Sequence, residues 1–305
     1  MHNLTPVRIL LTGSSGLIGR HLKPLLQQQN HQVIRLLRHP PAPNETDALF
    51  FDTSLPEPPP LENFDAVIHL AGESIAKRWT KKRKRAILSS RVDYTSKIAQ
   101  ALSRAAKPPA HFLGASGISY YGADRPDELT EQSSPGQGFL TEVAKQWEAA
   151  SDILLTCNPP TRVVHMRITP VLTPESGMLK KLLPSFKFGF GAVVGSGRQM
   201  VSWISLPDML AAILHILNTS TITGPVNMTA PQAASNREFA KALAKTLHRP
   251  LLMRIPATVM KLAFGEMANE TILANQNAKP AKLLANNFTF KHPTIEEALA
   301  DLLIV

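Results

Sequence analysis

Three glycines near the start of the chain have the spacing and setting of an anion-binding turn. An apolar run at 7–11 leads into Gly13, Gly16 and Gly19, and residues 20–26 then have helical spacing. A glycine turn between a strand and a helix places backbone N–H groups and the positive end of the helix dipole against a phosphate. The spacing therefore predicts the pyrophosphate turn of a dinucleotide site. The residues predicted to contact the nucleotide here are Gly13, Ser15, Gly16, Leu17, Ile18 and Gly19.

Arg38 indicates which dinucleotide this turn would select. In NAD-selective sites an acidic side chain after the second strand accepts hydrogen bonds from the ribose diol, but no Asp or Glu occurs between Gln27 and Pro43. Arg38 instead lies 19 residues beyond Gly19, and a guanidinium suits a 2′-phosphate. We therefore predict NADP, with an ordinary surface arginine as the alternative.

Two other strand ends are expected to border the nucleotide. Asp52 follows the third predicted strand and could accept a hydrogen bond from an adenine amino group, although an ordinary turn aspartate explains it equally well. The fourth strand contains His69, which we expect to be a core residue rather than a catalytic one because it lies within an apolar run. That strand ends in residues that allow the backbone to pass beneath a ribose and a phosphate: Leu70, Ala71, Gly72 and Glu73.

The elements predicted from hydrophobic patterning place these residues at one edge of a parallel sheet. Apolar strands at 7–12, 32–37, 48–51, 66–70, 110–114 and 161–167 alternate with helices at 17–29, 81–106 and 139–155. Right-handed crossovers make this a doubly wound, Rossmann-like α/β fold with ligands at the carboxyl ends of the strands. After a glycine-rich stretch at 177–197, helical spacing returns at 207–217, 236–247 and 295–303. We predict a nucleotide-binding domain at 1–170 and a smaller substrate-binding cap at 171–305, with segments that can return to the first domain.

Composition places the chain in an ordinary globular class. Of its 305 residues, 44% are hydrophobic and 18% charged, and no apolar run reaches the roughly 20 residues that span a bilayer. Cys157 is the one cysteine, and residues 1–6 lack the basic start of a signal peptide. We expect a cytoplasmic protein with neither an internal disulfide nor a membrane partner.

The net charge of +10 raises the alternative of nucleic-acid binding. Half of that charge is the block at 81–85, Lys-Lys-Arg-Lys-Arg. Helical spacing continues behind this block, so we interpret it as the solvated start of a helix and do not expect nucleic acid as a partner. The steep salt dependence of binding to arbitrary duplex would be the signature of the other interpretation.

Several short stretches together resemble the extended short-chain dehydrogenase/reductase superfamily, and within it the NAD-dependent epimerase/dehydratase-like subgroup of epimerase-family proteins. The resemblance implies a parallel sheet of about seven strands, a C-terminal cap and NADP as the cofactor. Arg91 occupies the position of an Asn that borders the cofactor in the superfamily, and Val171 falls where the backbone passes the nicotinamide. The stretches are Gly72-Glu73-Ser74-Ile75, Arg78-Trp79, Ser90-Arg91, Tyr120-Tyr121-Gly122, Trp147-Glu148, Gly195-Ser196-Gly197-Arg198-Gln199, Trp203-Ile204, Arg249-Pro250 and Gly265-Glu266.

The catalytic residues of that superfamily are not all present. Its Tyr-x-x-x-Lys pair, a tyrosine acid or base with a lysine that lowers its pKa, aligns with Leu140 and Ala144, and neither carries a proton. Ser116 and Tyr121 are the candidate replacements in the segment after the fifth strand. The alternative is that the tyrosines only pack the loop. Glu148 could supply a carboxylate, but a buried structural glutamate is the simpler interpretation.

The glycine-rich segment of the cap carries the predicted substrate contacts. Arg198 and Gln199 could hold an anionic or hydroxylated group, because a guanidinium binds carboxylate or phosphate through two bonds. We predict an NADP-dependent oxidoreductase or epimerase that acts on a small hydroxylated, sugar-nucleotide-like substrate. A catalytically silent NADP(H) sensor or assembly protein is the alternative. No metal site is expected, and the sequence is compatible with a homodimer.

Overall fold

A computed structural model describes residues 6–303. The strands are β1 Arg8–Thr12, β2 Gln32–Leu37, β3 Ala48–Phe50, β4 Ala66–His69, β5 His111–Gly117, β6 Asp124–Leu129, β7 Arg162–Ile168, β8 Val171–Leu172, β9 Ala192–Val194, β10 Met200–Val201, β11 Ile204–Ser205, β12 Gly224–Met228, β13 Ala234–Ser235, β14 Met253–Ile255 and β15 Asn275–Ala278. The helices are α1 Leu17–Gln28, α2 Lys81–Ser89, α3 Val92–Ser103, α4 Phe139–Ala149, α5 Gly177–Lys187, α6 Leu206–Asn218, α7 Asn236–Thr246, α8 Ala257–Phe264, α9 Ala281–Ala285 and α10 Ile295–Leu302.

Seven of these strands form one parallel sheet in the order β12-β7-β5-β4-β1-β2-β3. The order reverses direction beside β1, so β1 and β4 end at the point where open α/β sheets bind ligands. The predicted Rossmann-like, doubly wound class is confirmed.

The sheet is covered on both faces, as the nearly continuous apolar character of its strands requires. Alternate residues of each strand enter different cores: Ile9 and Leu11 pack with α1 and α6, whereas Leu10 packs with α3. The second half of the chain therefore contributes to the first core, since both α6 and β12 lie beyond residue 200.

The remainder of the second half forms small two-stranded sheets and a separate core. Leu179, Phe186, Trp203, Phe239 and Leu243 are buried there. Helix α8 is the exception, because it buries none of its side chains. No helix within residues 6–303 is long and apolar enough to cross a bilayer.

Two expected helices are shorter in the structure. The helix predicted at 81–106 is divided into α2 and α3 at Ser90 and Arg91. There the side chains of Ser90 and Arg91 both donate to the carbonyl of Ile87, at 3.1 and 3.2 Å, and Ser90 Oγ also accepts from the backbone N–H of Glu73. Side-chain competition for backbone groups favours a helix end. The helix predicted at 139–155 ends at Ala149 and is followed by a 3₁₀ turn at Asp152–Thr156.

Candidate functional site

The glycine turn fits tightly between the ends of β1 and β4. Gly13 has φ +68°, and a Cβ added there would lie 2.7 Å from the carbonyl carbon of Leu70. A Cβ at Gly19 would lie 2.3 Å from the carbonyl oxygen of Gly13. Only glycine fits these two positions, so the turn can bring its backbone against both β4 and a ligand.

The first turn of α1 is left open by this arrangement. Its N-cap residue is Gly16, which has no capping side chain, and the first turn contains no acidic residue. The intrahelical bonds begin when Arg20 N–H donates to Gly16 O, at 3.0 Å. The preceding N–H groups, those of Leu17, Ile18 and Gly19, bond to no group within residues 6–303, so they offer an anion free donors at the positive end of the helix dipole.

A buried hydrogen-bond chain holds the strand ends beneath this turn. Thr12 Oγ1 accepts from the N–H groups of Leu70 and Ala71, both at 3.2 Å, so its own proton goes to His69 Nδ1 at 2.9 Å. His69 Nε2 then donates to Thr95 Oγ1 at 2.8 Å, and the Trp147 indole donates to the same oxygen at 3.0 Å. The chain connects β1, β4, α3 and α4.

His69 is a neutral core residue. Its side chain is fully buried, and burial lowers its pKa from 6.5 to about 4. The ring packs against Tyr94 and Phe112 at centroid distances of 5.6 and 5.9 Å. This is the core role expected from its place in an apolar strand.

Arg38 lines a cavity of about 290 Å³ that lies beside the turn. Ala71, Gly72 and Glu73 line the same cavity, so the structure brings together the residues predicted from two strand ends. Tyr94 also lines it, and its buried hydroxyl makes no hydrogen bond to any residue that the structure describes.

Asp52 is engaged in its own turn. Its carboxylate accepts from the N–H and the hydroxyl of Ser54, at 2.9 and 2.7 Å, and these bonds lower its pKa. This geometry matches the ordinary turn aspartate that was the alternative for this position.

Arg91 holds the backbone at Gly72 and Glu73, which lies between the first cavity and a second one. Its guanidinium donates to the carbonyl of Glu73 at 2.9 Å, and its Cζ lies 5.0 Å from the Trp147 ring centroid. A Cβ at Gly72 would lie 3.3 Å from the same Cζ. Burial lowers the pKa of Arg91 to about 10, so the guanidinium stays charged at neutral pH.

The second cavity, of about 250 Å³, lies where the superfamily's catalytic pair would be. Leu140 and Ala144, the residues aligned with that pair, both line it. So do Ser116, Ser119 and the Arg91 guanidinium. The pocket is therefore apolar on its α4 side, and hydroxyl groups line it from the segment after β5.

Ser116 is joined to a buried ion pair. Its hydroxyl donates to Glu148 Oε1 at 2.7 Å, and Arg167 grips the same carboxylate through Nε and Nη2 at 2.8 and 2.9 Å. The side chains of Arg167 and Glu148 are 3% and 12% exposed. Because the one Ser116 proton is directed at Glu148, the hydroxyl presents lone pairs to the cavity.

Tyr121 is not brought to the cavity. It is fully buried, accepts from Arg167 Nη1 at 2.9 Å and donates to Asn227 Oδ1 at 2.8 Å. Burial raises its pKa. Its hydroxyl is occupied in both directions within the core, which suits the packing role that was the alternative to catalysis. The ring of the second tyrosine, Tyr120, packs against the Arg167 guanidinium, with Arg167 Cζ 3.4 Å from the ring centroid.

The predicted substrate residues have different placements. Gln199 is buried and bonds to Val194 O at 3.0 Å and to Ser196 Oγ at 3.2 Å, so it shapes its own loop. Arg198 is exposed on that loop. Val171 begins β8 and pairs with Ile204, and it does not line the two cavities described above.

Glu270 positions α4, a role that the sequence did not reveal. Its carboxylate accepts from the N–H groups of Phe139 and Leu140, both at 2.8 Å, and so caps α4 from the C-terminal part of the chain. A signal existed, since Gly138 precedes α4 without a side chain to cap it. A glycine before a helix indicates that the acceptor for the first N–H groups must come from another part of the chain. It does not show which residue supplies that acceptor.

The fold and the glycine turn define a nucleotide-binding α/β protein, and comparison with known proteins identifies the family. The model of the NAD dependent epimerase/dehydratase family matches residues 9–228. The chain belongs to this family. A second model, a domain of unknown function (DUF1731), matches residues 255–302.

Similar proteins are found in bacteria and mammals. The chain is 37% identical over 292 residues to the epimerase family protein Mb2239 of Mycobacterium bovis, covering 95% of this chain and 96% of that protein. A crystal structure of the human epimerase family protein SDR39U1 (isoform 2) with NADPH superposes with a TM-score of 0.86 at 29% identity, covering 97% of this chain and 98% of that one. A nucleoside-diphosphate sugar epimerase of Corynebacterium glutamicum superposes with a TM-score of 0.80 at 31% identity, covering 98% of this chain and 58% of that one.

A pair of alanine substitutions tests the close fit of the turn. Gly13→Ala adds a Cβ within 2.7 Å of backbone atoms, whereas Gly189, with φ +80°, has no atom within 4 Å of the added Cβ. Both variants suffer the cost of about 1–2 kcal/mol for a left-handed alanine, and Gly13→Ala adds about 1–3 kcal/mol of overlap. Urea unfolding measures the free energy of unfolding that each variant loses. Equal losses would contradict the contact between the turn and β4.

The neutral state of His69 predicts a pH dependence. Between pH 6.5 and about 4 the unfolded chain binds a proton at His69 that the folded chain excludes, so the free energy of unfolding falls as pH falls. The loss from this residue is about 3 kcal/mol across that window. His69→Gln should show a correspondingly shallower pH dependence than the parent in urea unfolding. Parallel curves for the two proteins would contradict a neutral buried His69.

Proposed function

We propose that the chain binds NADP(H) and acts as an oxidoreductase or epimerase on a small hydroxylated substrate. The observation that carries the proposal is the open N-terminus of α1, which the Gly13 and Gly19 contacts place at the switch point of the sheet. The NADPH in the human relative's crystal structure supports the choice of nucleotide.

The residues around the turn fit the parts of this nucleotide. The pyrophosphate would lie on the N–H groups of the turn, from Ser15 to Gly19, and Arg38 would take the 2′-phosphate. Tyr94, which lines the Arg38 cavity, would lie against the adenosine half. Beneath the nicotinamide half we place the β4 end, Arg91 and Val171. In this proposal residues 1–170 supply most of the nucleotide site, and 171–305 supply the cap, with Arg198 as its anion-binding residue.

Bound NADP(H) supplies a hydride acceptor or donor, and the protein must handle the accompanying proton. Ser116 is the group in the second cavity suited to a substrate hydroxyl, because its lone pairs face the cavity while its own proton is held by Glu148. In the oxidative direction a substrate hydroxyl would pass its proton to Ser116 Oγ while Ser116 passes its own proton to Glu148 Oε1, so the proton released with the hydride ends on that carboxylate. Arg167 holds the Glu148 carboxylate in place. Tyr121 would act on this arrangement only through Arg167.

A catalytically silent sensor is the second candidate. It is favoured by one observation, the presence of Leu140 and Ala144 on the cavity wall where a proton-carrying pair would be expected. The two candidates share the nucleotide site and differ at Ser116.

The nucleotide preference is tested by reversing one charge. NADPH should raise the melting temperature far more than NADH, because Arg38 gains a charge-assisted contact with the 2′-phosphate. Arg38→Glu should weaken NADPH binding by about 100-fold, the order expected when an Arg–phosphate contact of about 1.5–3 kcal/mol is replaced by repulsion. Arg104→Glu, an exposed arginine at the far end of α3, is the control. An unchanged preference in Arg38→Glu would overturn the assignment.

Catalysis is tested by two serines of the same cavity. Stopped-flow oxidation of bound NADPH is followed against pooled metabolites, and any active pool is then used with variants. Ser116→Ala should lower the rate by about 100-fold or more, in the range of general acid–base contributions. Ser119→Ala, which removes another hydroxyl of that cavity, should keep most of it. If NADPH binds but no pool oxidises it, the sensor is the better account.

A further inference from the structure

A protruding apolar cluster lies at the far end of the small sheet formed by β9 and β14. We define the basic apolar tip as residues 187–190 and 249–253. Phe188 and Phe190 are 78% and 66% exposed, and Leu252 and Met253 are 85% and 47% exposed. The two segments run side by side, because Met253 pairs with Ala192 and Arg249 Nε donates to the carbonyl of Lys187 at 2.8 Å.

The backbone of the tip is firmly held, so these side chains are not exposed by fraying. Phe190 N–H donates to Ser185 O at 2.8 Å and Gly189 N–H donates to Phe186 O at 3.0 Å. Together with φ +80° at Gly189, these two bonds form a Schellman motif at the end of α5. In such motifs the residue after the glycine often packs back on the helix, but Phe190 points outward.

The two chain segments that contain this tip are basic. Residues 176–207 contain four lysines and arginines and no Asp or Glu, and residues 239–265 contain five and again no Asp or Glu. Lys187 and Arg249 belong to the tip itself. One carboxylate, that of Glu296, lines a cavity together with them. The apolar side chains are therefore bordered mainly by cations.

We propose that the basic apolar tip docks on the surface of an anionic lipid bilayer, with Phe188 and Phe190 entering the headgroup region. Apolar side chains bordered by cations are the combination that binds an interface between hydrocarbon and anionic headgroups. A docking surface for a second copy of the chain fits less well. In a symmetric pair each tip would face the same tip of the other copy, so Lys187 and Arg249 would be opposed by the same cations. No spanning segment is required for this mode of binding.

The experiment is vesicle co-sedimentation of the full chain, with phosphatidylcholine vesicles that contain or lack phosphatidylserine. The parent protein should sediment with the anionic vesicles and not with the neutral ones, and added salt should release it. Phe188→Ser combined with Phe190→Ser should weaken binding by about tenfold or more, because the rings leave the interface. Lys187→Gln combined with Arg249→Gln should weaken it by about fivefold for each charge.

Two controls make the result specific. Leu155→Ser removes an apolar side chain that is 51% exposed in the 3₁₀ turn after α4 and should leave vesicle binding unchanged. Thermal unfolding of each variant shows whether the fold is kept. Equal sedimentation with neutral vesicles, no sedimentation of the parent, or equal weakening by Leu155→Ser would each overturn the proposal. So would a Phe188→Ser and Phe190→Ser protein that binds vesicles normally but changes from dimer to monomer in light scattering.

Discussion

The structure depends most on the contact between the Gly13 turn and the end of β4. A side chain at Gly13 would overlap the backbone of Leu70, and the Thr12 hydroxyl accepts hydrogen bonds from the N–H groups of Leu70 and Ala71. This contact fixes the direction in which α1 begins, and so where its free N–H groups point. The hydrogen bonds from Thr12 through His69 to Thr95 also connect the strand ends beneath the turn to α3. They make the turn more rigid.

The second constraint is the Arg167–Glu148 pair, which organises the other end of the cleft. A buried ion pair is stabilising only when its remaining polar atoms are also bonded, and here Ser116 and Tyr121 take up those positions. The pair thus explains two observations at once: the Ser116 proton is directed away from the cavity, and the Tyr121 hydroxyl is held in the core. Nucleotide binding and any proton handling are therefore supported by separate networks, on β1–β4 and on β5–β7.

Much of the fold could be predicted from the sequence because its signals are local. The apolar strands and the glycine turn follow from short patterns, and so does the role of His69, since its neighbours in the strand are apolar. A single helix was expected at 81–106, and its division could not be predicted from the sequence. The division results from hydrogen bonds between the Ser90 and Arg91 side chains and the backbone after a strand that is distant in the sequence. Glu270 lies more than a hundred residues from the helix that it caps, and Tyr121 has its role only through Asn227 and Arg167. Such roles depend on tertiary contacts that no local spacing encodes.

The central claim is that the N–H groups at the start of α1 hold the phosphates of NADP(H). Amide hydrogen exchange with and without NADPH tests it most directly, because it reports on those N–H groups individually. The account predicts that exchange at Leu17, Ile18 and Gly19 slows markedly when NADPH is added, while exchange at the solvated start of α2 stays the same. Saturating NADPH that leaves those three amides unchanged would contradict it.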